Sequence, residues 1–190
     1  MQDVWQYWSG ALSASACDRW ISLLDQIEIG NGQIGDGDSA VHNDNYRSSQ
    51  IGWVNVYDST YQEIISSIWS YGRLANRNAF GFSIDSLNDV QYTIYHGTSN
   101  DKYDWHIDTF WGNGTPYDRK ISLVIQLTDP SEYEGGEFQF DPEIAQPNPD
   151  EIKARGSVIA FPSFIRHRVT PVTSGTRRSL VAWIEGPNFR

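Results

Sequence analysis

Val90-Gln91-Tyr92-Thr93-Ile94-Tyr95 is the stretch whose reading decides the fold. Its apolar residues alternate with polar ones, the period of a strand with one buried face. The same period returns downstream in Ile121 to Leu127, Glu137 to Phe140, Ser157 to Phe161, His167 to Val172 and Arg178 to Ile184. Turn sequences separate these runs: Asn113-Gly114, Asp129-Pro130, Gly135-Gly136, Pro147-Asn148-Pro149 and Ser174-Gly175. Upstream the period is helical. Ser13 to about Ile29 places Cys17, Trp20, Ile21, Leu24 and Ile27 on one stripe, with Ser13 or Ser15 as its cap and Gly30 as its stop. Thr60 to about Ala79 does the same with Ile64, Ile65, Ile68, Trp69 and Leu74. Helices first and strands later predict one α+β domain over 1–190, with a helical N-terminal part of about 1–88 and a strand-rich core of about 89–186. The expected core is a double-stranded β-helix, a jelly roll, with both helices packed outside it.

A chain of 190 residues can bury a core without staples. Hydrophobic content of 39% and charged content of 20% belong to a globular protein and not a disordered one. Eight Trp, ten Tyr and eight Phe reinforce the strand reading. A formal charge of -10 argues against nonspecific nucleic-acid binding and against an anionic membrane surface. The single cysteine, Cys17, rules out an internal disulfide and reads as a small buried apolar residue. With no signal-like N-terminus and no membrane-length apolar run, the expected compartment is the cytoplasm.

The chemistry sits in five residues. His106 and Asp108 lie two apart at the end of the strand-like Tyr103-Asp104-Trp105-His106, so their side chains share a face. His167 follows after several strands, as a third ligand from an opposite barrel wall must. Two histidines and a carboxylate in this order match the facial triad of non-haem Fe(II) oxygenases, which leaves metal positions open for a cosubstrate and O2. Arg177 and Ser179 also share a strand face. A guanidinium there can grip a carboxylate with two prongs, as an ammonium cannot, and the serine hydroxyl adds a donor. These two residues suit the far carboxylate of 2-oxoglutarate. Arg178 should face the other way, toward solvent or an acidic partner.

From Asp89 to Gly186 the chain resembles the Fe(II)/2-oxoglutarate dioxygenase superfamily, in its prolyl 4-hydroxylase-like branch, and within it the PKHD-type hydroxylases of bacteria and phages. The resemblance is carried by residues 91–95, by Tyr103-Asp104-Trp105-His106-Ile107-Asp108, and by the run from Asp129 to Glu137. Phe161-Pro162-Ser163, His167-Arg168-Val169-Thr170-Pro171-Val172 and Arg177-Arg178-Ser179-Leu180-Val181-Ala182-Trp183 complete it. It implies iron on His106, Asp108 and His167, with 2-oxoglutarate on Arg177. It also implies O2 as co-reactant, ascorbate as reductant, a protein or peptide substrate modified at proline, and succinate and CO2 as coproducts. A tyrosine before the metal pair often assists the cosubstrate in this branch; Tyr95 is first choice, with Tyr92 and Tyr103 as alternatives. Many prolyl hydroxylases carry lysine where Arg177 stands, so the arginine neither proves nor excludes a prolyl substrate. If the source is a phage, the compartment is the host cytoplasm.

Glu134-Gly135-Gly136-Glu137 reads as a structural strand entry, and Thr109-Phe110-Trp111-Gly112-Asn113-Gly114 as a loop able to cover the substrate. The loop Gly30 to Ser39 carries Asp36 and Asp38 but lacks the closing Glu and spacing of an EF-hand, so calcium is not expected. The wider acidic stretch to Asn45 is expected to border the substrate entrance. His42 and His96 have no partner pattern. The competing reading is a non-catalytic jelly roll whose aromatics stack on glycans; it leaves Arg177 and Ser179 unexplained. Demethylation of nucleic acid by the same iron chemistry is disfavoured by the charge.

Overall fold

The computed structural model describes residues 4–33, 43–109 and 114–189. Alternation in sequence becomes two antiparallel sheets. The larger runs in the order β1 (Gln6–Trp8), β9 (Val158–Pro162), β6 (Tyr117–Gln126), β11 (Val172–Pro187), β4 (Ser86–His96), β3 (Gln50–Trp53) and β2 (Gly30–Asn31), with β7 (Tyr133–Gly135) also pairing β11. The smaller runs β5 (Tyr103–His106), β10 (His167–Val169) and β8 (Phe138–Phe140). With three α-helices among the described residues, this is a mixed α/β architecture dominated by antiparallel strands.

Strand parity sorts the residues. Val90, Tyr92 and Ile94 of β4, Ile121, Leu123 and Ile125 of β6, and Leu180, Ala182 and Ile184 of β11 join a core with Cys17, Trp20 and Leu24 of α1 (Ala14–Leu24) and Ile64, Ile65 and Ile68 of α2 (Gln62–Ala75). Both helices thus pack on the outer face of the larger sheet. A second core of Tyr95, Val124, Phe138, Phe140, Ile159, Phe161, Val169 and Val172 fills the space between the sheets.

Ser13 caps α1, its side chain accepting from the Ala16 N–H. The helix stops at Leu24, five residues before the expected end. Ile27 and Ile29 instead pack alongside the sheet core, and Gly30 opens β2 rather than ending a helix. The N-terminal part is therefore not simply helical, since it supplies β1, β2 and β3. These strands are two to four residues long, too short to show a period. A short helix α3 (Pro149–Lys153), capped by Asn148, replaces what reads as a turn. Asp36, Asp38, His42 and most of the expected covering loop (110–113) lie outside the described residues.

Candidate active site

His106 ends β5 and His167 begins β10, and the two face each other across an antiparallel pair. Asp108 lies past the strand end, so it is not aimed by strand alternation as expected. Its N–H donates to the Ser163 carbonyl at 2.8 Å, which turns the carboxylate back toward the histidines. His106 Nε2 is 3.5 Å from Asp108 Oδ1, and His167 Nε2 is 3.6 Å from Oδ2. One ligand atom from each residue falls within a 4.8 Å cluster, the spacing for a single metal ion.

Each ligand is oriented from behind. His106 Nδ1 lies 2.7 Å from the Asp104 carbonyl and His167 Nδ1 lies 2.9 Å from the Ile165 carbonyl. A carbonyl can only accept, so both imidazoles carry their proton on Nδ1 and present the Nε2 lone pair to the metal. Burial, then the neighbouring His167, pulls the His106 pKa down to about 3, which keeps the ring in its neutral, ligating form. Burial alone would push the Asp108 carboxyl up. His167, His106 and the Ser122 hydroxyl at 2.7 Å from Oδ2 outweigh it and hold the carboxyl below its ordinary value. Ser122 in turn lies 3.0 Å from Ser163 Oγ.

A cavity of about 820 Å³ joins this cluster to Arg177 and Ser179. Arg177 is 1% exposed. Its Nη1 donates to Ser179 Oγ at 3.3 Å, whereas its buried Nε and Nη2 have no hydrogen-bond partner among the described residues. Among the described residues no carboxylate pairs with it. An unpaired buried cation is costly, so this end of the cavity is shaped for an anion that the described residues do not provide. Gly136 makes the room: at φ +64°, a Cβ there would sit 2.9 Å from Arg177 Cδ. The Gly135-Gly136 turn thus does more than start a strand.

The tyrosines separate by parity. Tyr95 lines the cavity, with the Arg177 guanidinium 5.3 Å from its ring centre, and Tyr103 stacks 3.5 Å from the His106 ring. Burial raises both pKa values, so both hydroxyls stay protonated donors. Tyr92 is three residues from Tyr95 and takes the opposite face. Its hydroxyl donates to Asp25 Oδ1 at 2.7 Å, away from the cavity, which corrects its place among the cosubstrate candidates. Arg178 follows the expected orientation, its Nε 3.7 Å from the same Asp25 oxygen. His96 lies 3.1 Å from Gln50 and 3.3 Å from Thr176 on the far side of β4's end.

Ser122 and Arg47 were not picked out from sequence. Ser122 carried a signal, as a small polar residue on the inward parity of a strand that is otherwise Ile-Leu-Val-Ile. Arg47 carried none, since it lies in no periodic segment.

The pattern of the 2OG-Fe(II) oxygenase superfamily matches residues 90–185, just over half of the 190 residues. The chain belongs to this superfamily. A PKHD-type hydroxylase of Synechococcus sp. (strain CC9311) is 39% identical over 83 residues, covering 44% of this chain and 36% of that protein. The chain thus spans little more than a third of the length of this relative. Among solved structures, a Pseudomonas putida prolyl-4-hydroxylase shares the fold at a TM-score of 0.71 and 18% identity, over 97% of this chain and 94% of its own. A Trichoplax adhaerens prolyl hydroxylase, solved with a hypoxia inducible factor peptide fragment, does so at 0.74 and 17%, over 95% and 83%. The superfamily implies Fe(II) and 2-oxoglutarate, and the donor set together with the orphaned Arg177 fits both.

Proposed function

We propose that this chain is an Fe(II)- and 2-oxoglutarate-dependent dioxygenase that hydroxylates an amino-acid side chain, prolyl in a protein or peptide, with succinate and CO2 as coproducts. One observation carries the reading: a buried guanidinium that meets no carboxylate among the described residues shares a single cavity with two histidines and an aspartate. A glycan-binding module has no use for that pairing. We read the two antiparallel sheets as the walls of a double-stranded β-helix, open at the end where the metal residues stand.

In this reading His106, Asp108 and His167 hold the iron, while Arg177 and Ser179 hold the distal carboxylate of 2-oxoglutarate, with Tyr95 and Tyr103 flanking it. Iron with bound 2-oxoglutarate supplies O2 activation and C–H oxidation. The chain's own residues set the geometry. The two Nδ1–H···O bonds keep Nε2 of each histidine aimed inward, and Ser122 holds Asp108 Oδ2. Phe138, Val124, Val169 and Val181 give the cavity dry walls, which strengthens the charge pairing at Arg177. Trp53, Trp105, Ile107 and Arg166 also line it and are the residues a peptide segment would meet. Ascorbate would keep the iron ferrous, which suits a cytoplasmic setting; no helix among the described residues is long and apolar enough to cross a membrane.

The test is succinate formation by the purified chain with Fe(II), ascorbate and 2-oxoglutarate, with and without proline-containing peptides. Peptide-stimulated succinate is the expected result. Absence of a metal-to-ligand absorption band on anaerobic addition of Fe(II) and 2-oxoglutarate would defeat the reading whatever the substrate.

A further inference from the structure

The wall beside the metal residues holds a second buried guanidinium that the reading above leaves without a role. Arg47 is 6% exposed and lines the cavity, yet among the described residues it meets no carboxylate. Its donors go to neutral oxygens: Nε to Ser49 Oγ at 2.9 Å, Nη1 to the Gln33 carbonyl at 3.0 Å and Nη2 to Gln91 Oε1 at 2.8 Å. These three bonds fix the plane of the guanidinium, whose Cζ lies 4.4 Å from the Tyr103 ring centre. The His106 ring lies 3.5 Å from that same ring centre at 12°. At such separations one face cannot serve both neighbours, so Tyr103 is sandwiched between Arg47 and His106.

The backbone repeats the arrangement. In the smaller sheet β5 is the edge strand, and among the described strands it pairs with β10. Residues 46–48 run along its free side. Asp104 N–H donates to the Tyr46 carbonyl at 2.9 Å, Ser48 N–H to the Lys102 carbonyl at 3.1 Å, and the Tyr46 hydroxyl to the Trp105 carbonyl at 2.6 Å. Arg47 itself forms an isolated bridge with Tyr103. The strand that presents His106 is thereby clamped from a segment outside the superfamily match.

We propose that Arg47 is a positioning residue for the metal, holding Tyr103 flat against His106 and so fixing the direction of the His106 Nε2 lone pair. The proposal rests on the metal reading above. It requires a planar cation with several directed donors, which a lysine does not provide.

The experiment is titration of the apo chain with Co(II), read by its d–d absorption, with thermal melting of each apo variant alongside. Arg47→Ala and Arg47→Lys should bind Co(II) about 10–100-fold more weakly, the usual cost of losing a group behind a ligand, with a changed band envelope. Tyr103→Leu should behave alike, whereas Tyr103→Phe should keep wild-type affinity, because the stack uses the ring and not the hydroxyl. Wild-type affinity and spectrum in Arg47→Ala overturn the proposal, as they do in Tyr103→Leu if the arginine variants do not fold. Weakened binding in Tyr103→Phe also overturns it, by moving the effect to the hydroxyl. A wild-type chain that binds no Co(II) overturns the metal reading itself, which keeps the two failures apart.

Discussion

On β11, Leu180, Ala182 and Ile184 turn toward α1 and α2, while Arg177, Ser179, Val181 and Trp183 turn into the cavity. On β4, Val90, Tyr92 and Ile94 take the helix side, and Asp89, Gln91, Thr93 and Tyr95 the cavity side. The same strands therefore carry two opposite chemistries one residue apart. The outer face is a packed apolar layer whose worth lies in area removed from water. The inner face places charged and hydroxyl groups where burial is costly, and one of them, Arg177, meets no carboxylate among the described residues. That contrast places stability on one face and binding on the other, and substitutions on each should separate accordingly.

The largest effect should come from the inner side. Asp108→Ala removes the carboxylate of the His106–Asp108–His167 cluster and should take succinate formation to background, beyond the roughly 10–100-fold cost of losing a group behind a ligand. Circular dichroism should show the fold retained. Leu123→Ala tests the outer face. Leu123 is fully buried, so the variant should lose about 2–5 kcal/mol of stability by urea denaturation. Its folded fraction should bind Co(II) as the wild type does; weakened binding there would break the division of faces. Arg177→Met comes next. Losing charge-assisted bonds of about 1.5–3 kcal/mol each should raise the 2-oxoglutarate KM on the order of 100-fold. The apo form should melt no lower than wild type, because an unpaired buried charge has been replaced by an apolar chain. A large drop in apo Tm would mean that Arg177 serves the fold after all.

How much of this was legible follows from what a periodic sequence can encode. The alternation in residues 90–95 and 178–184 announced β4 and β11, and the i, i+2 spacing put Arg177 and Ser179 on one face. Single-strand parity cannot announce a side chain delivered from beyond a strand end. Asp108 reaches the histidines through a backbone bond to Ser163, not through alternation. Nor can it announce a partner from forty to sixty residues away, which is how Arg47 reaches Tyr103 and Gln91. The short strands β1 to β3 escaped because pairing, of β1 with β9, β3 with β4 and β2 with β3, supplies the stability that their own sequence does not.

Tyr92 gives the sharpest form of the comparison, because here the parity rule was available and points the other way from Tyr95. An odd separation on an unbroken strand sends the two rings to opposite faces, and no bulge falls between Tyr92 and Tyr95 to reset the count. Tyr92 is fully buried against the helix layer, and its hydroxyl reaches Asp25, where α1 ends and Arg178 also arrives. Tyr92→Phe should therefore cost about 1 kcal/mol of stability, the worth of one hydrogen bond at a partly exposed acceptor. It should leave the 2-oxoglutarate KM unchanged. Tyr95→Phe should do the reverse, raising that KM severalfold with little change in Tm, since its ring stays packed in the inter-sheet core while the donor is lost. A KM effect from Tyr92→Phe would require β4 to slip by one residue in the working enzyme. Such a slip would move Arg177's partner face as well, so the double variant with Arg177→Met would then be less than additive.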